Sequence, residues 1–185
     1  RGLGDVYKRQ ELCMLQKLIA KLISYLDRLA PGQPVVPWRK AMTISIGVGV
    51  TVFAIEFLNL ADGALEFKES MVIVVFGVSA LMIFLYPNSK MYSPLVILEA
   101  NLLASFVALT GVYLLPTPVM GMIFAMFCTG LGLYFLNCMH PPAFFLGAVI
   151  VIAGADSLDF ALYPVMVDTL LLCLVSHLYR TYLKR

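Results

Sequence analysis

Six long apolar runs lie between residues 41 and 181, and only short polar or proline-containing breaks separate them. Hydrophobic residues make up 61% of the 185-residue chain and charged residues only 13%. A soluble domain of this size cannot hide so much apolar surface, so the excess requires lipid as its solvent. We therefore expect an all-α protein that forms a polytopic transmembrane helical bundle and has the lipid bilayer as a partner. The runs span residues 41–60, 71–87, 94–115, 118–136, 141–155 and 161–181.

The lengths of the runs leave the number of spans at four to six. About twenty residues cross a bilayer core, and the first, third, fourth and sixth runs provide them. The fifth run, with about 15 residues, covers only about 22 Å of a core about 30 Å thick, and the second run is also short. Two short or half helices that cross would give six spans, whereas re-entrant hairpins would leave four. The order of full span, short run and full span occurs twice, which is the pattern of an inverted repeat.

Basic residues cluster at the two ends of the chain. Eight of the 13 Lys and Arg residues precede residue 41, three close the chain, and only Lys68 and Lys90 lie between. Cytoplasmic segments carry an excess of basic residues, so we expect both termini on the cytoplasmic side. A nucleic-acid-binding protein would instead spread its basic residues over a folded face. We therefore expect no nucleic-acid partner.

The first 37 residues differ in character from the rest. Residues 1–10 show no apolar periodicity and do not start with Met, so we interpret them as a non-native scar. Residues 11–37 combine an amphipathic helix, expected in the membrane interface, with a proline-rich linker. Trp38 and the two cations after it are typical headgroup anchors, and residues 38–185 form the transmembrane domain. The apolar face of the interfacial helix consists of Leu15, Leu18, Ile19, Leu22, Ile23, Leu26 and Leu29.

Residues that could carry catalysis or hold a metal are scarce. The four cysteines form no CxxC pair, and we expect no disulfide. Cys138, Met139 and His140 are acceptable Cu(I) ligands, but adjacent residues of a helix do not face one direction. No nucleophile has a base at a recognisable spacing, and no phosphate-binding loop occurs in the sequence. We therefore expect no enzymatic activity, no cofactor and no metal site.

The segment Asn137–Pro142 interrupts the apolar sequence between the fourth and fifth runs. Pro141 and Pro142 suit the first turn of a helix, where backbone donors are not needed. Such a helix would direct free amide groups and positive dipole charge at the residue before it, which is His140. His140 is then either a substrate-binding residue at a helix start or a histidine that serves packing alone.

Residues 76–185 resemble the HPP family of small integral membrane proteins, named for the His-Pro-Pro that stands here as His140-Pro141-Pro142. A second family motif is Phe76-Gly77-Val78-Ser79-Ala80, and both motifs have the family's order and spacing. The resemblance implies a protein of bacterial inner membranes or plastid envelopes, with some plant members associated with nitrite transport. Small residues at the start of two short helices would let backbone donors approach a small anion. The implied substrate-binding residues are Gly77, Ser79, His140, Pro141 and Pro142.

The chain departs from the family pattern near its third run. The family usually has an Arg-Asn pair where this chain has Leu95-Val96, and a Gly-Gly-His where it has Glu99-Ala100-Asn101. The two glycines that usually follow His-Pro-Pro are replaced by Ala143-Phe144. Relative to the family pattern, this chain lacks the arginine of the Arg-Asn pair and gains the carboxylate of Glu99. We add Asn101 to the predicted substrate-binding residues.

Glu99 and Asp168 are candidates for proton coupling. Each lies about five residues into a span that begins near a proline, and a carboxylate there is costly unless it is neutral, paired or hydrated. The alternative is that each acid lies near the headgroups or accepts a hydrogen bond from a neighbour such as Asn101 or Thr169.

Two functions from different classes remain open. The first is a transporter of a small inorganic anion such as nitrite, moved with protons. The second is a non-transporting scaffold or subunit, including a homo-oligomer, that packs through small-residue helix faces. Transport requires the site residues to converge, whereas scaffolding places them at interfaces. Small residues spaced by four favour close helix packing at Ser45 and Gly49, Gly121 and Ala125, and Ala143 and Gly147.

Overall fold

Helices dominate the described part of the chain, which confirms the expected all-α bundle. The computed structural model describes residues 14, 16–22, 24–25, 36–60, 67–155 and 158–183, with the backbone alone at residues 60 and 67–70. In chain order the helices are α1 (Trp38–Leu60), α2 (Phe67–Leu85), a 3₁₀ turn (Lys90–Tyr92), α3 (Pro94–Leu114), α4 (Pro118–Phe135), α5 (Pro141–Ala153), the short α6 (Leu158–Phe160), a kinked π-helical stretch (Ala161–Met166) and α7 (Val167–Leu183).

The chain divides into two compact units, Arg1–Trp38 and Arg39–Arg185. In the first unit the described residues between 14 and 25 are helical. The predicted scar at residues 1–10, and the proline-rich linker up to residue 35, lie outside the described residues. The membrane bundle belongs to the second unit.

Neighbouring long helices of the bundle run in opposite directions. α3 and α7 are antiparallel, because the carbonyl oxygen of Pro94, at the start of α3, contacts Cys173 Sγ, whereas Asn101, later in α3, contacts Thr169, which comes earlier in α7. The same order of contacts makes α1 and α2, α3 and α4, and α4 and α5 antiparallel. The pairs that meet are Gly47 with Phe84 and Gly77 with Val52 for α1 and α2, Gly132 with Leu103 and Gly111 with Gly121 for α3 and α4, and Gly130 with Phe144 and Gly121 with Val151 for α4 and α5.

The two short runs each form one continuous helix. Neither contains a turn that would return the chain to the side it came from, so the re-entrant alternative does not apply. The apolar parts of these helices are Met71–Leu85 and Pro141–Ala153. The inverted repeat stays a prediction. Among the described residues, four helical segments are long and apolar enough to cross a membrane: Trp38–Asn59, Pro94–Leu114, Pro118–Phe135 and Leu158–Leu183.

Small residues bring α3, α4 and α5 together. A Cβ atom on Gly147 would lie 3.3 Å from Oγ1 of Thr129 and 3.5 Å from both the carbonyl oxygen of Ala104 and Cβ of Ala125. The small-residue pairs of α4 and α5 therefore pack as predicted. The pair on α1 does not, because a Cβ atom on Gly49 would have no other atom within 4 Å.

A break in regular backbone precedes α7. Tyr163 is extended, with φ of −140° and ψ of 125°, between the helical residues on either side. The Tyr163 hydroxyl donates to the carbonyl oxygen of Leu58 at 3.1 Å, which ties this kink to the end of α1. The kink thereby sets the position at which α7 and its Asp168 meet α1.

Candidate functional site

His140 is positioned by a sharp turn at the end of α4. Asn137 has φ of 54°, a left-handed conformation that Asn adopts more readily than most residues. The N–H of Cys138 donates to the carbonyl oxygen of Leu133 at 3.0 Å, and that of Asn137 donates to Tyr134 at 3.1 Å. These two bonds form a Schellman motif, which ends the helix and reverses the chain. His140 follows as the N-cap residue of α5.

Both ring nitrogens of His140 have partners inside the bundle. Nδ1 lies 3.2 Å from the carbonyl oxygen of Met91, and Nε2 lies 3.3 Å from Oγ of Ser79. A carbonyl oxygen only accepts, so in the neutral ring Nδ1 carries the hydrogen and Nε2 accepts from the Ser79 hydroxyl. The neighbours thus fix one tautomer of the imidazole.

The bundle encloses this imidazole and its hydroxyl partner. The exposed fractions of His140 and Ser79 are 0% and 1%. The imidazole therefore has contacts with protein atoms alone in the described part of the chain, and none with solvent. The ring of Tyr92 packs against the imidazole edge-on, with centroids 5.7 Å apart and planes at 75°.

Helix α7 holds the segment that precedes α3 and faces the imidazole. Oγ of Ser176 donates to the carbonyl oxygen of Tyr92 at 2.6 Å. Arg180 donates from Nε to the carbonyl oxygen of Pro87 at 2.6 Å and from Nη2 to that of Ser89 at 2.8 Å. Bonds from a charged donor are stronger than neutral ones, so this segment is firmly placed. α2, the 3₁₀ turn, α5 and α7 therefore build the site jointly.

A second group of buried polar side chains lies between α1, α3 and α7. Nδ2 of Asn59 donates to Oδ2 of Asp168 at 3.4 Å, and Nδ2 of Asn101 donates to Oγ1 of Thr169 at 3.1 Å. The exposed fraction of each of these four residues is 3% or less. Oδ1 of Asn59 and Oδ1 of Asp168 are buried without a hydrogen-bond partner.

Two cavities lie beside connections between helices. One of about 230 Å³ adjoins the connection from α3 to α4, and one of about 440 Å³ adjoins the connection from α2 to α3. None of the predicted site residues lines either cavity, because protein encloses the buried polar groups. The first is lined by Gly111, Val112, Leu115, Pro116, Thr117, Pro118, Gly121, Val151 and Gly154, and the second by Asn88, Pro94, His177, Arg180 and Thr181.

The match to a known family covers all helices of the bundle and therefore both groups of buried polar side chains. A family model described as HPP, transmembrane region, matches residues 33–185. The chain belongs to the HPP family. No curated protein and no solved structure matches it. The HPP signature residues accordingly form the start of α5.

The HPP signature offers fewer free backbone donors than a helix start usually does. Pro141 and Pro142 have no N–H, and the N–H of Ala143 donates to the carbonyl oxygen of His140 at 3.0 Å. The free amide groups expected at the first three positions of α5 are therefore absent. A donor to an anion at this end of α5 has to be a side chain, and the imidazole and the Ser79 hydroxyl are the groups in place.

The second HPP motif lies in the middle of a helix, which corrects the prediction that it begins one. α2 runs unbroken from Phe67 to Leu85, because the residues before Gly77 include no proline and no helix-ending turn. Gly77 serves packing, since a Cβ atom there would lie 3.4 Å from the side chain of Val52. Ser79 is the motif residue that reaches the imidazole.

The predicted site residues fall into two groups rather than one. Ser79 contacts His140, whereas Asn101 and Asp168 belong to the second polar group. Glu99 is exposed on α3 and lies in neither group. Among the residues that the structure describes, no three His, Cys, Asp or Glu side chains come together in a way that could hold a metal ion.

Sequence reasoning missed Asn59, Ser176 and Arg180. A signal existed for Asn59, because a polar amide near the end of an apolar span is costly without a partner. In the sequence Arg180 is one of the terminal charges, and its hydrogen bonds to the segment before α3 depend on tertiary packing that no local pattern specifies.

Proposed function

We propose that this HPP protein transports a small inorganic anion of the nitrite type across the membrane, together with protons. The buried pair of Ser79 and His140 carries the proposal. Polar side chains in the interior of a membrane bundle are costly and mark substrate or proton paths. This pair joins the two motifs of the family at one enclosed point. A scaffold that acts through its outer helix faces has no need of a titratable ring there.

The neutral imidazole suits the binding of an anion and a proton as a pair. Burial disfavours an imidazolium without a counter-charge, and it equally disfavours an anion without one. A proton on Nε2 of His140 would make this atom a donor to Ser79, whose hydroxyl hydrogen would then turn towards the anion. Binding of the proton therefore strengthens binding of the anion, and binding of the anion strengthens binding of the proton by the same factor. This mutual effect couples the transport of the anion to that of the proton.

We place His140 in the cytoplasmic half of a bacterial inner membrane, with both termini in the cytoplasm. The alternating helix directions put the start of α1, the end of α2 and the end of α7 on one side. That side carries Arg39, Lys40, Lys90 and Arg180. An excess of basic residues is typical of the cytoplasmic side, which supports this orientation.

Uptake into proteoliposomes tests the function. Vesicles that contain the parent protein should take up nitrite faster than empty vesicles, and an inward proton gradient should increase the rate. Nitrate and chloride define the selectivity. His140→Ala should reduce uptake to the level of empty vesicles. Ser79→Ala should reduce it by about tenfold or more, the factor expected for a lost hydrogen bond to a charged group.

Thr110→Ala is a matched control for Ser79→Ala. Thr110 is exposed on α3, and its hydroxyl donates to the carbonyl oxygen of Phe106 within the same helix at 2.8 Å. This variant should keep the parent rate. Equal nitrite, nitrate and chloride uptake by parent and empty vesicles would refute transport of these anions, and unchanged uptake by His140→Ala would refute the site.

A further inference from the structure

Asp168 is the carboxylate that the bundle encloses most completely among the described acids. Its exposed fraction is 0%, and its hydrogen-bond partner is Nδ2 of Asn59 at 3.4 Å, a long contact. The positions one turn away, Ile55 on α1 and Val165 and Leu172 beside Asp168, are buried apolar residues. An ionised carboxylate in these surroundings would have one weak donor to offset its charge.

Two acceptor oxygens remain without a donor at this pair. Oδ1 of Asp168 and Oδ1 of Asn59 are both buried and unpartnered, although the other two polar atoms of the pair already contact each other. A buried acceptor without a donor costs about 1–3 kcal/mol. A proton on Oδ1 of Asp168 would turn that atom from an acceptor into a donor.

We propose that Asp168 and Asn59 form a proton-binding site. A proton on Oδ1 of Asp168 donates to Oδ1 of Asn59, while Nδ2 of Asn59 donates to Oδ2 of Asp168. The acid and the amide then face each other through two hydrogen bonds, and neither carries a charge. The ligand is a proton rather than a metal cation, because hard cations take about six or more oxygen ligands and this pair offers two free ones.

The charged groups around the pair support a neutral acid. Among the described charged side chains of α1, the one nearest to Asn59 along the helix is Glu56, which is acidic and offers Asp168 no counter-charge. From α3, Asn101 faces Thr169 rather than the acid. The side chains of Lys68 and Glu69 at the start of α2 lie outside the described part.

This site is separate from the imidazole, and its occupancy does not depend on the proposed transport. Its role as a second station for coupled protons does rest on that function. The proton is therefore tested without any substrate, so that a failure of transport and a failure of proton binding remain distinguishable.

Infrared spectroscopy of the full chain in lipid vesicles at neutral pH is the test. The parent should show the carbonyl stretch of one protonated carboxylic acid that shifts in heavy water, and Asp168→Asn should abolish this band completely. Asn59→Leu, which keeps the acid, should retain the band and move it to higher frequency, because the carbonyl loses its donor. The exposed Glu99→Gln should leave the band unchanged.

Two outcomes would overturn the proposal. The first is a parent spectrum without a band that depends on Asp168, or a band that Asn59→Leu leaves unshifted. The second is a rise of melting temperature with sodium or potassium chloride in the parent that Asp168→Asn abolishes, which would assign the pair to a metal cation. If Asp168→Asn does not fold, the frequency shift in Asn59→Leu decides alone.

Discussion

Nε2 of His140 lies 3.3 Å from Oγ of Ser79, although 61 residues separate the two in the chain. The bond joins the N-cap residue of α5 to the interior of α2. Ser79 stands six residues before the last residue of α2, which is about 9 Å along the helix. α5 has 13 residues and spans only about 20 Å, which is less than the thickness of a bilayer core. Its start, next to His140, therefore lies inside the bundle.

Ser79→Ala should destabilise the bundle as well as reduce uptake. The substitution leaves Nε2 of His140 as a buried acceptor without a donor, at a cost of about 1–3 kcal/mol. Ser105→Ala is the control, since Ser105 is equally buried but donates to the carbonyl oxygen of Asn101 in its own helix at 2.8 Å. Thermal unfolding in detergent should show a larger loss for Ser79→Ala. Equal losses would contradict the importance of the imidazole bond.

Arg180→Ala should loosen the segment before α3. The guanidinium holds the carbonyl oxygens of Pro87 and Ser89, and the loss of charge-assisted bonds of this kind costs about 1.5–3 kcal/mol. Hydrogen exchange at residues 86–92 should become faster, while exchange within α4 stays unchanged. His177→Ala, an exposed position on the same helix, should leave the segment protected. Unaltered exchange in Arg180→Ala would show that packing alone holds it.

The sequence alone predicted the helices and the position of His140, but not how the polar residues group. Apolar runs and prolines are local signals, so Pro94, Pro118 and Pro141 mark helix starts correctly. The contact of Asn59 with Asp168 joins residues 109 apart and depends on the kink before α7, which no local pattern specifies.

Glu99 and Asn101 lie on opposite faces of α3. Residues of an α-helix are rotated by about 100° each, so Glu99 and Asn101 differ by about 200° and face opposite sides. The structure agrees, because Asn101 is buried and Glu99 exposed. A helical-wheel argument could therefore have excluded Glu99 from the site of Asn101 in advance.

Asn137 is expected to tolerate glycine better than valine. Its φ of 54° is open to glycine without strain, whereas a β-branched residue at this conformation costs about 1–2 kcal/mol or more. Asn137→Gly should keep the parent melting temperature and uptake. Asn137→Val should lower both, because the turn at this position sets the approach of His140 to Ser79. Matching behaviour of the two variants would mean that the turn conformation is unimportant.

Gly147→Val should disrupt the packing of α3, α4 and α5. The first added carbon already meets three neighbours at 3.3–3.5 Å, and overpacking of this kind costs about 1–3 kcal/mol. Gly49→Val adds the same atoms in open space on α1 and is the control. Melting temperatures of the purified variants measure the difference. A similar decrease in both would point to β-branching rather than to close packing.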